Sequence, residues 1–253
     1  MPRFFVDIEN IVDGIVAIRG EDAHHIARSL RMAAGEHITV CDMQKMEYDC
    51  VLERFEDDKA VFARVLAERS MSTEPPIEVC IYQALPKADK LETVIQKAVE
   101  CGAARIVPFE SEYCIVKMKS DTQDKKQQRR ERIAAEAAKQ CGRGILPSVG
   151  TTLTFSAMLQ QAAQADIALF CYEGEGTCSL KTYIQQKRKE LSDFSEGVPT
   201  VSVVIGSEGG FSVKEVTEAK QAGLVPVGLG TRILRTETVA TFVLGALMYE
   251  FEL

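Results

Sequence analysis

From Ile77 to the C-terminus the chain alternates short β-type runs with segments of helical period, and this alternation constrains the fold more than any other feature. The runs IEVCIYQAL, ARIVPF, ADIALFCYE, TVSVVIGS and LVPVGLG are rich in β-branched and apolar residues. Between them, Leu91, Val94, Ile95, Ala98 and Val99 recur at i, i+3, i+4, i+7 and i+8; Asp89 and Glu92 suit the first turn, and Gly102 is placed to end the helix. Val239, Phe242, Val243, Ala246 and Leu247 repeat the pattern after Thr236, the expected N-cap. Strands separated by helices pair side by side in the same direction, so the prediction is an α/β domain with a mostly parallel sheet.

Residues 1 to about 69 carry a different signature. Short alternating runs such as HITVCD and KAVFARVLAE, broken by charged turns at residues 47–49 and 57–58, predict a small β domain. The segment SMSTEPP, residues 70–76, joins small polar residues to a Pro pair that interrupts helix and central strand alike. The expected organisation is a β domain over 1–70, a linker over 71–76 and the α/β domain over 77–253.

At 253 residues with 46% hydrophobic content, the chain can bury a sizeable core. Its longest uncharged apolar stretch, residues 239–249, is far short of the roughly 18 a membrane-spanning helix needs. Asp7 and Glu9 interrupt what a signal peptide keeps apolar, so a cytoplasmic protein is expected. Cysteines 41, 50, 80, 101, 114, 141, 171 and 178 lie at least seven positions apart, which excludes short-spaced zinc pairs and reads as reduced core thiols. With only three histidines besides, no metal site is expected. The net charge of −7 argues against coating nucleic acid by charge alone, yet residues 117–143 carry nine Lys or Arg against four acids. That local excess of +5 suits an RNA surface and equally a solvated helix face.

Ligands of open α/β sheets bind beyond the carboxyl ends of the strands, so the strand-to-helix junctions are where chemistry belongs. In IGSEGGFSVKE an apolar run enters a glycine-rich loop, and Ser212 with Glu215 forms a capping-box pattern opening a helix. Such a loop lets backbone amides approach a ligand, although a tight turn explains it too. VGLGTRILRTET follows the next strand with Gly228, Gly230, Arg232 and Arg235; it is no dinucleotide fingerprint, because Ile233 replaces the third glycine. CYEGEG, residues 171–176, is by itself only a turn signal.

Taken together the three junctions resemble those of the knotted SPOUT methyltransferases, and most closely the 16S rRNA (uridine-N3) methyltransferase family. The resemblance extends over nearly the whole chain: RFF, HHIARSLRMAAGE, KADKLETVIQKAVECGAARIVPFESEYC, RRERIAAEAAKQCGRGILP, IGSEGGFS and LGTRILRTET. Ser207 stands where the family usually has Pro, and Val239 where it has Ala. The resemblance implies a PUA-like N-terminal β-barrel that helps hold RNA and a C-terminal trefoil knot that binds S-adenosylmethionine. It also implies a homodimer and, as substrate, a uridine in the decoding region of 16S rRNA within the small ribosomal subunit.

Carried onto this sequence, the cofactor contacts are expected at Tyr172, Gly206, Glu208, Gly209, Gly210, Leu229, Gly230, Ile233, Leu234, Arg235 and Thr238. Arg3, His25, Arg28, Arg31, Lys87, Arg130 and Arg143 are the expected RNA contacts; the adjacent His24 and His25 also suit an ordinary polar surface. Uracil N3 is a poor nucleophile while protonated, and its anion is favoured by a nearby cation or proton acceptor. Arg235 and Arg143 are the candidate cations and Glu208 the candidate acceptor. Glu237 is a second acceptor candidate, though its first-turn position also suits a carboxylate facing the helix dipole. A SPOUT ribose 2′-O-methyltransferase, with an Asn-containing SLNVS-like segment in place of ILRTET, and a non-catalytic RNA-binding assembly factor are the competing readings. An oxidoreductase is disfavoured by the missing fingerprint.

Overall fold

The computed structural model describes residues 1–44, 46–57, 59–116, 123–194 and 197–253. The chain divides into two compact units, the first of residues 1–74 and 138–146, the second of residues 75–137 and 147–253. The cut at Glu74 lies within SMSTEPP, whereas the return of 138–146 to the first unit has no counterpart in the sequence pattern.

The first unit is a six-stranded sheet in the order β1 (Arg3–Phe5), β4 (His37–Cys41), β5 (Met46–Glu56), β6 (Ala60–Ser70), β3 (Ile15–Arg19) and β2 (Ile11–Val12). All pairings are antiparallel except β1 with β4. Alternation places Phe4, Val16, Ile18, Ile38, Val40, Cys50, Leu52 and Val61 on one buried face. Helix α1 (Gly20–His24) continues into one wide π-type turn, His25–Ser29, that buries Ile26 and leaves His24, His25 and Arg28 exposed. The Glu74 carboxylate fastens residues 143–145 to this unit, accepting hydrogen bonds from Arg143 Nη2 at 2.6 Å, Arg143 Nε at 3.0 Å, and the amides of Gly144 and Ile145 at 2.8 and 3.1 Å.

The second unit is an eight-stranded sheet in which every pairing is parallel. Its order is β10 (Leu153–Thr154), β8 (Arg105–Glu110), β7 (Glu78–Ala84), β13 (Thr200–Ile205), β11 (Ile167–Cys171), β14 (Val225–Gly228) and β12 (Cys178–Ser179), with β9 (Ser148–Val149) also on β8. The five long runs in the sequence are thus β7, β8, β11, β13 and β14. Strand β11 is buried at all five positions, as a strand covered on both faces requires.

The helices are α2 (Lys90–Glu100), α3 (Gln123–Cys141), α4 (Phe155–Ala162), α5 (Leu180–Phe194), α6 (Val213–Gln221) and α7 (Thr236–Phe251). Leu91, Val94, Ile95, Ala98 and Val99 form the buried stripe of α2, and Gly102 ends it at φ +95°, a conformation open to glycine. Helix α7 starts one residue earlier than expected: Arg235 is the N-cap, and the Thr236 hydroxyl donates to Gly206 O at 2.7 Å instead of capping. No helix among the described residues is long and apolar enough to cross a membrane. All eight cysteines are free thiols, and burial pushes those of Cys50 and Cys171 up to about 12.

Candidate active site

Where β11, β13 and β14 end side by side, their loops enclose a cavity of ≈ 780 Å³ lined by residues 171–174, 205–211 and 228–236 together with Lys90, Thr177 and Val239. The three junctions singled out in the sequence therefore converge, because β11 lies between β13 and β14 in the sheet.

The middle loop is shaped by close approach. Gly206 O accepts from Thr236 Oγ1 at 2.7 Å and from Gln83 Nε2 at 3.3 Å, and Gln83 Nε2 also reaches Thr236 Oγ1 at 2.9 Å. Gln83 is fully buried at the end of β7, so one amide ties three chain segments together beneath the cavity. A Cβ on Gly209 would lie 2.8 Å from Tyr113 Cβ, and Gly210 has φ +67°, so the first position lacks room for a side chain and the second has a backbone conformation that side chains strain. Phe211 then drops into an aromatic cluster, 4.2 Å from the Phe170 ring and stacked on Phe109 at 6.4 Å. The predicted capping box forms: Ser212 Oγ accepts from Glu215 N at 3.3 Å and Glu215 Oε2 from Ser212 N at 2.9 Å.

At the cavity rim Lys90 Nζ lies 3.0 Å from Glu208 Oε1 and 3.3 Å from Glu237 Oε2. The second contact is an ion pair without hydrogen-bond alignment, since Glu237 Oε2 is buried and makes no hydrogen bond. The Lys87 amide donates to both Glu208 oxygens at 3.2 and 3.4 Å, from a turn in which Ala88 sits at φ +53°. Burial works to raise the Glu208 carboxyl, but its own backbone amide, Lys90 and the Lys87 amide outweigh it and hold the group below its ordinary value.

Of the expected cofactor contacts, Tyr172, Gly206, Glu208, Gly209, Gly210, Leu229, Gly230, Ile233, Leu234 and Arg235 all line the cavity; Thr238 is exposed on the first turn of α7 and does not. Ile233 is 82% exposed, an apolar side chain left open at the rim. Arg232 and Arg235 are exposed, line the cavity and make no ion pair among the described residues.

Two of the catalytic expectations meet physical obstacles. Arg143 belongs to the first unit, where its guanidinium is 6% exposed and paired with Glu74; it is not a cavity residue. Glu208, held by Lys90 and a backbone amide, is a weak proton acceptor.

Among the expected RNA contacts, Arg3 is likewise engaged: its Nη1 donates to Glu47 at 2.8 Å and its side chain is 14% exposed, which leaves little to offer a phosphate. His25, Arg28, Arg31 and Lys87 are exposed, and Arg130 is half-buried on α3, where it makes no hydrogen bond or ion pair among the described residues. Burial lowers the Arg130 pKa and the nearby Glu92 raises it, with burial dominant. Lys117 and Lys119 of the basic stretch lie outside the described residues; the remainder lies on or just beyond α3.

Gln83, Lys90, Glu173, Thr177 and Phe211 were not expected at the site. Gln83 and Lys90 flank a fourth strand-to-helix junction, β7 to α2, and the signal that finds them is that β7 pairs with β13.

The chain has counterparts among known proteins. Residues 73–248 match the model of an RNA methyltransferase domain, and residues 18–66 that of an RNA methyltransferase PUA domain. The ribosomal RNA small subunit methyltransferase E of Bacillus subtilis (strain 168) is 35% identical, covering 100% of this chain and 98% of that protein. Its namesake from Buchnera aphidicola subsp. Schizaphis graminum is 26% identical over 99% of this chain and 97% of its own length. A crystal structure of a ribosomal RNA small subunit methyltransferase E from Neisseria gonorrhoeae, bound to S-adenosyl methionine, superposes with a TM-score of 0.82 at 27% identity, covering 99% and 98% of the two chains.

Proposed function

Since this chain belongs to the RNA methyltransferase family, with a PUA domain preceding the catalytic one, we propose that it methylates N3 of a uridine in the decoding region of 16S rRNA, using S-adenosylmethionine. The observation that carries the proposal is the cavity itself. Three glycine-containing loops at neighbouring strand ends leave ≈ 780 Å³, within the roughly 300–1,000 Å³ that small-molecule sites occupy. Its walls offer Ile205, Leu229, Ile233, Leu234 and Val239 to an adenosyl group, and Gly206, Gly209 and Gly210 leave backbone rather than side chains facing it. S-adenosylmethionine, when bound, supplies a methyl group already activated by its sulfonium.

The chain's own residues have to bring uracil to that methyl and stabilise the charge left on the ring. Alignment of this kind supplies up to roughly 7–11 kcal/mol. Arg235, exposed and unpaired at the N-terminus of α7, is placed to stabilise the uracil anion, with Arg232 beside it. Tyr172, Leu229, Gly230 and Leu234 hold the cofactor, while Glu208 acts as a strut rather than an acceptor because Lys90 and Lys87 already occupy its oxygens. Thr238, one turn further along α7, lies beyond that contact set.

His25, Arg28 and Arg31 of the first unit, with Lys87 and Arg130 of the second, are the phosphate contacts in this reading. Arg3 and Arg143 stiffen the first unit. The active form is a homodimer, supported by the exposed positions Phe242, Gly245 and Tyr249 of α7, at which Phe242 is 42% and Tyr249 74% exposed. The C-terminal threading is a trefoil knot and the protein works in the cytoplasm.

The test is transfer of labelled methyl from S-adenosylmethionine to unmodified small ribosomal subunits by the wild type and by Arg235→Ala. Turnover reduced at least about 10²-fold with unchanged cofactor affinity supports the role of Arg235; full turnover removes it.

A further inference from the structure

Two carboxylates line the cavity, Glu208 and Glu173. Glu208 is bound by Lys90 Nζ at 3.0 Å and by the Lys87 amide at 3.2 Å. Glu237, just outside, is ion-paired to the same Lys90 at 3.3 Å. Glu173 differs from both. It follows β11 by two residues, is exposed, and has no hydrogen bond or ion pair among the described residues. Its carboxylate reaches across to the middle loop: Oε1 lies 3.9 Å from where a Cβ on Gly210 would be. The same cavity is lined by Arg232 and Arg235, which make no ion pair among the described residues. One uncommitted carboxylate thus shares the cavity with two uncommitted cations.

We propose that Glu173 is the catalytic residue that accepts the uracil N3 proton, a role that rests on the uridine-N3 reading above. The N3–H bond breaks and an O–H bond forms on the Glu173 carboxylate, leaving the electron pair on N3. That pair makes the new bond to the methyl carbon as the carbon–sulfur pair returns to sulfur, and the ring, briefly anionic beside Arg235, ends neutral. Because Glu173 is exposed, it passes its proton to water and is ready for another cycle. Glutamine at this position keeps the shape and loses the basicity.

The experiment compares wild type, Glu173→Gln and Glu173→Asp in single-turnover methyl transfer to small ribosomal subunits between pH 6 and 10, with S-adenosylmethionine affinity measured separately by calorimetry. The expected result for Glu173→Gln is a rate lowered about 10²–10³-fold at pH 7 that recovers as pH rises and N3–H ionises unaided, with cofactor affinity within about twofold of wild type. Glu173→Asp retains part of the rate. An unchanged Glu173→Gln rate overturns the proposal. So does a loss of cofactor affinity large enough to explain the slower rate, which would assign the carboxylate to the methionine ammonium. If the wild type itself makes no 3-methyluridine, it is the underlying reading that fails, and the calorimetric comparison still shows whether Glu173 holds the cofactor.

Discussion

At the scale of single residues, the site depends on contacts too close for ordinary side chains. Gly209→Ala would press a methyl group against Tyr113 Cβ at 2.8 Å, and neither partner is the far end of a flexible chain. The expected cost is about 1–3 kcal/mol with at least tenfold weaker cofactor binding, measured by thermal melting and calorimetry. Gln83→Leu removes the amide that joins Gly206 O to Thr236 Oγ1 in a fully buried position. About 1–3 kcal/mol of stability should go with it, and cofactor affinity should fall although Gln83 does not line the cavity. The glycines were legible in the sequence because glycine announces backbone demands. Gln83, Lys90 and Glu173 were not, since a glutamine in a strand, a lysine opening a helix and a glutamate in a turn look the same wherever the sheet puts them. Their meaning comes from β7 lying beside β13 and from the end of β11 facing Gly210.

At the scale of elements, the capping box and the Glu74 buckle show two kinds of local order. Ser212 and Glu215 were readable three residues apart, and Ser212→Ala should cost about 1 kcal/mol by freeing an amide at the start of α6. The buckle joins residues 69 apart and leaves no mark in the periodicity. Burial alone would raise the Glu74 carboxyl, but hydrogen bonding to Arg143, its charge, and the Gly144 and Ile145 amides hold it below its ordinary value. A carboxyl depressed on folding contributes its full stability above the unfolded pKa of about 4.3 and loses it as pH falls through the folded value. Acid titration of stability should therefore fall more steeply below about pH 4.5 in the wild type than in Glu74→Gln. The variant itself should lose about 2–3 kcal/mol at pH 7, somewhat less than a fully buried pair, because it removes the carboxylate charge that Arg143 pairs with at 2.6 Å. Strands β7, β8, β11, β13 and β14 and helices α2 and α7 were legible because apolar period and turn chemistry are local, but the buried face of α7 is Val239, Ala240, Val243, Leu244 and Leu247, and the expected Phe242 is exposed and Ala246 half-buried, because an all-round apolar helix does not mark its own inner face. The N-cap of α7 was misplaced by one residue because the Thr236 hydroxyl has a stronger claim in Gly206 O, thirty residues away.

At the scale of the whole molecule, an acidic chain that docks RNA through a few exposed cations should bind with marked salt dependence. For about four phosphate contacts, affinity should drop about 10²-fold between 50 and 200 mM salt, and charge reversal at Arg28 and Arg31 should flatten that slope. If the proposed homodimer forms through α7, Phe242→Asp combined with Tyr249→Asp should give a monomer on sedimentation while the circular dichroism spectrum stays native, since both side chains are exposed. The two-part organisation was legible from composition and alternation, while the convergence of three loops on one cavity follows from strand order, which no local pattern specifies. The most direct test of the account is to incubate the protein with labelled S-adenosylmethionine and small ribosomal subunits lacking the modification, digest the RNA, and identify the labelled nucleoside by mass spectrometry. The expected product is 3-methyluridine from one position of 16S rRNA; a ribose-methylated nucleoside, or no labelled nucleoside at all, would contradict methylation at N3.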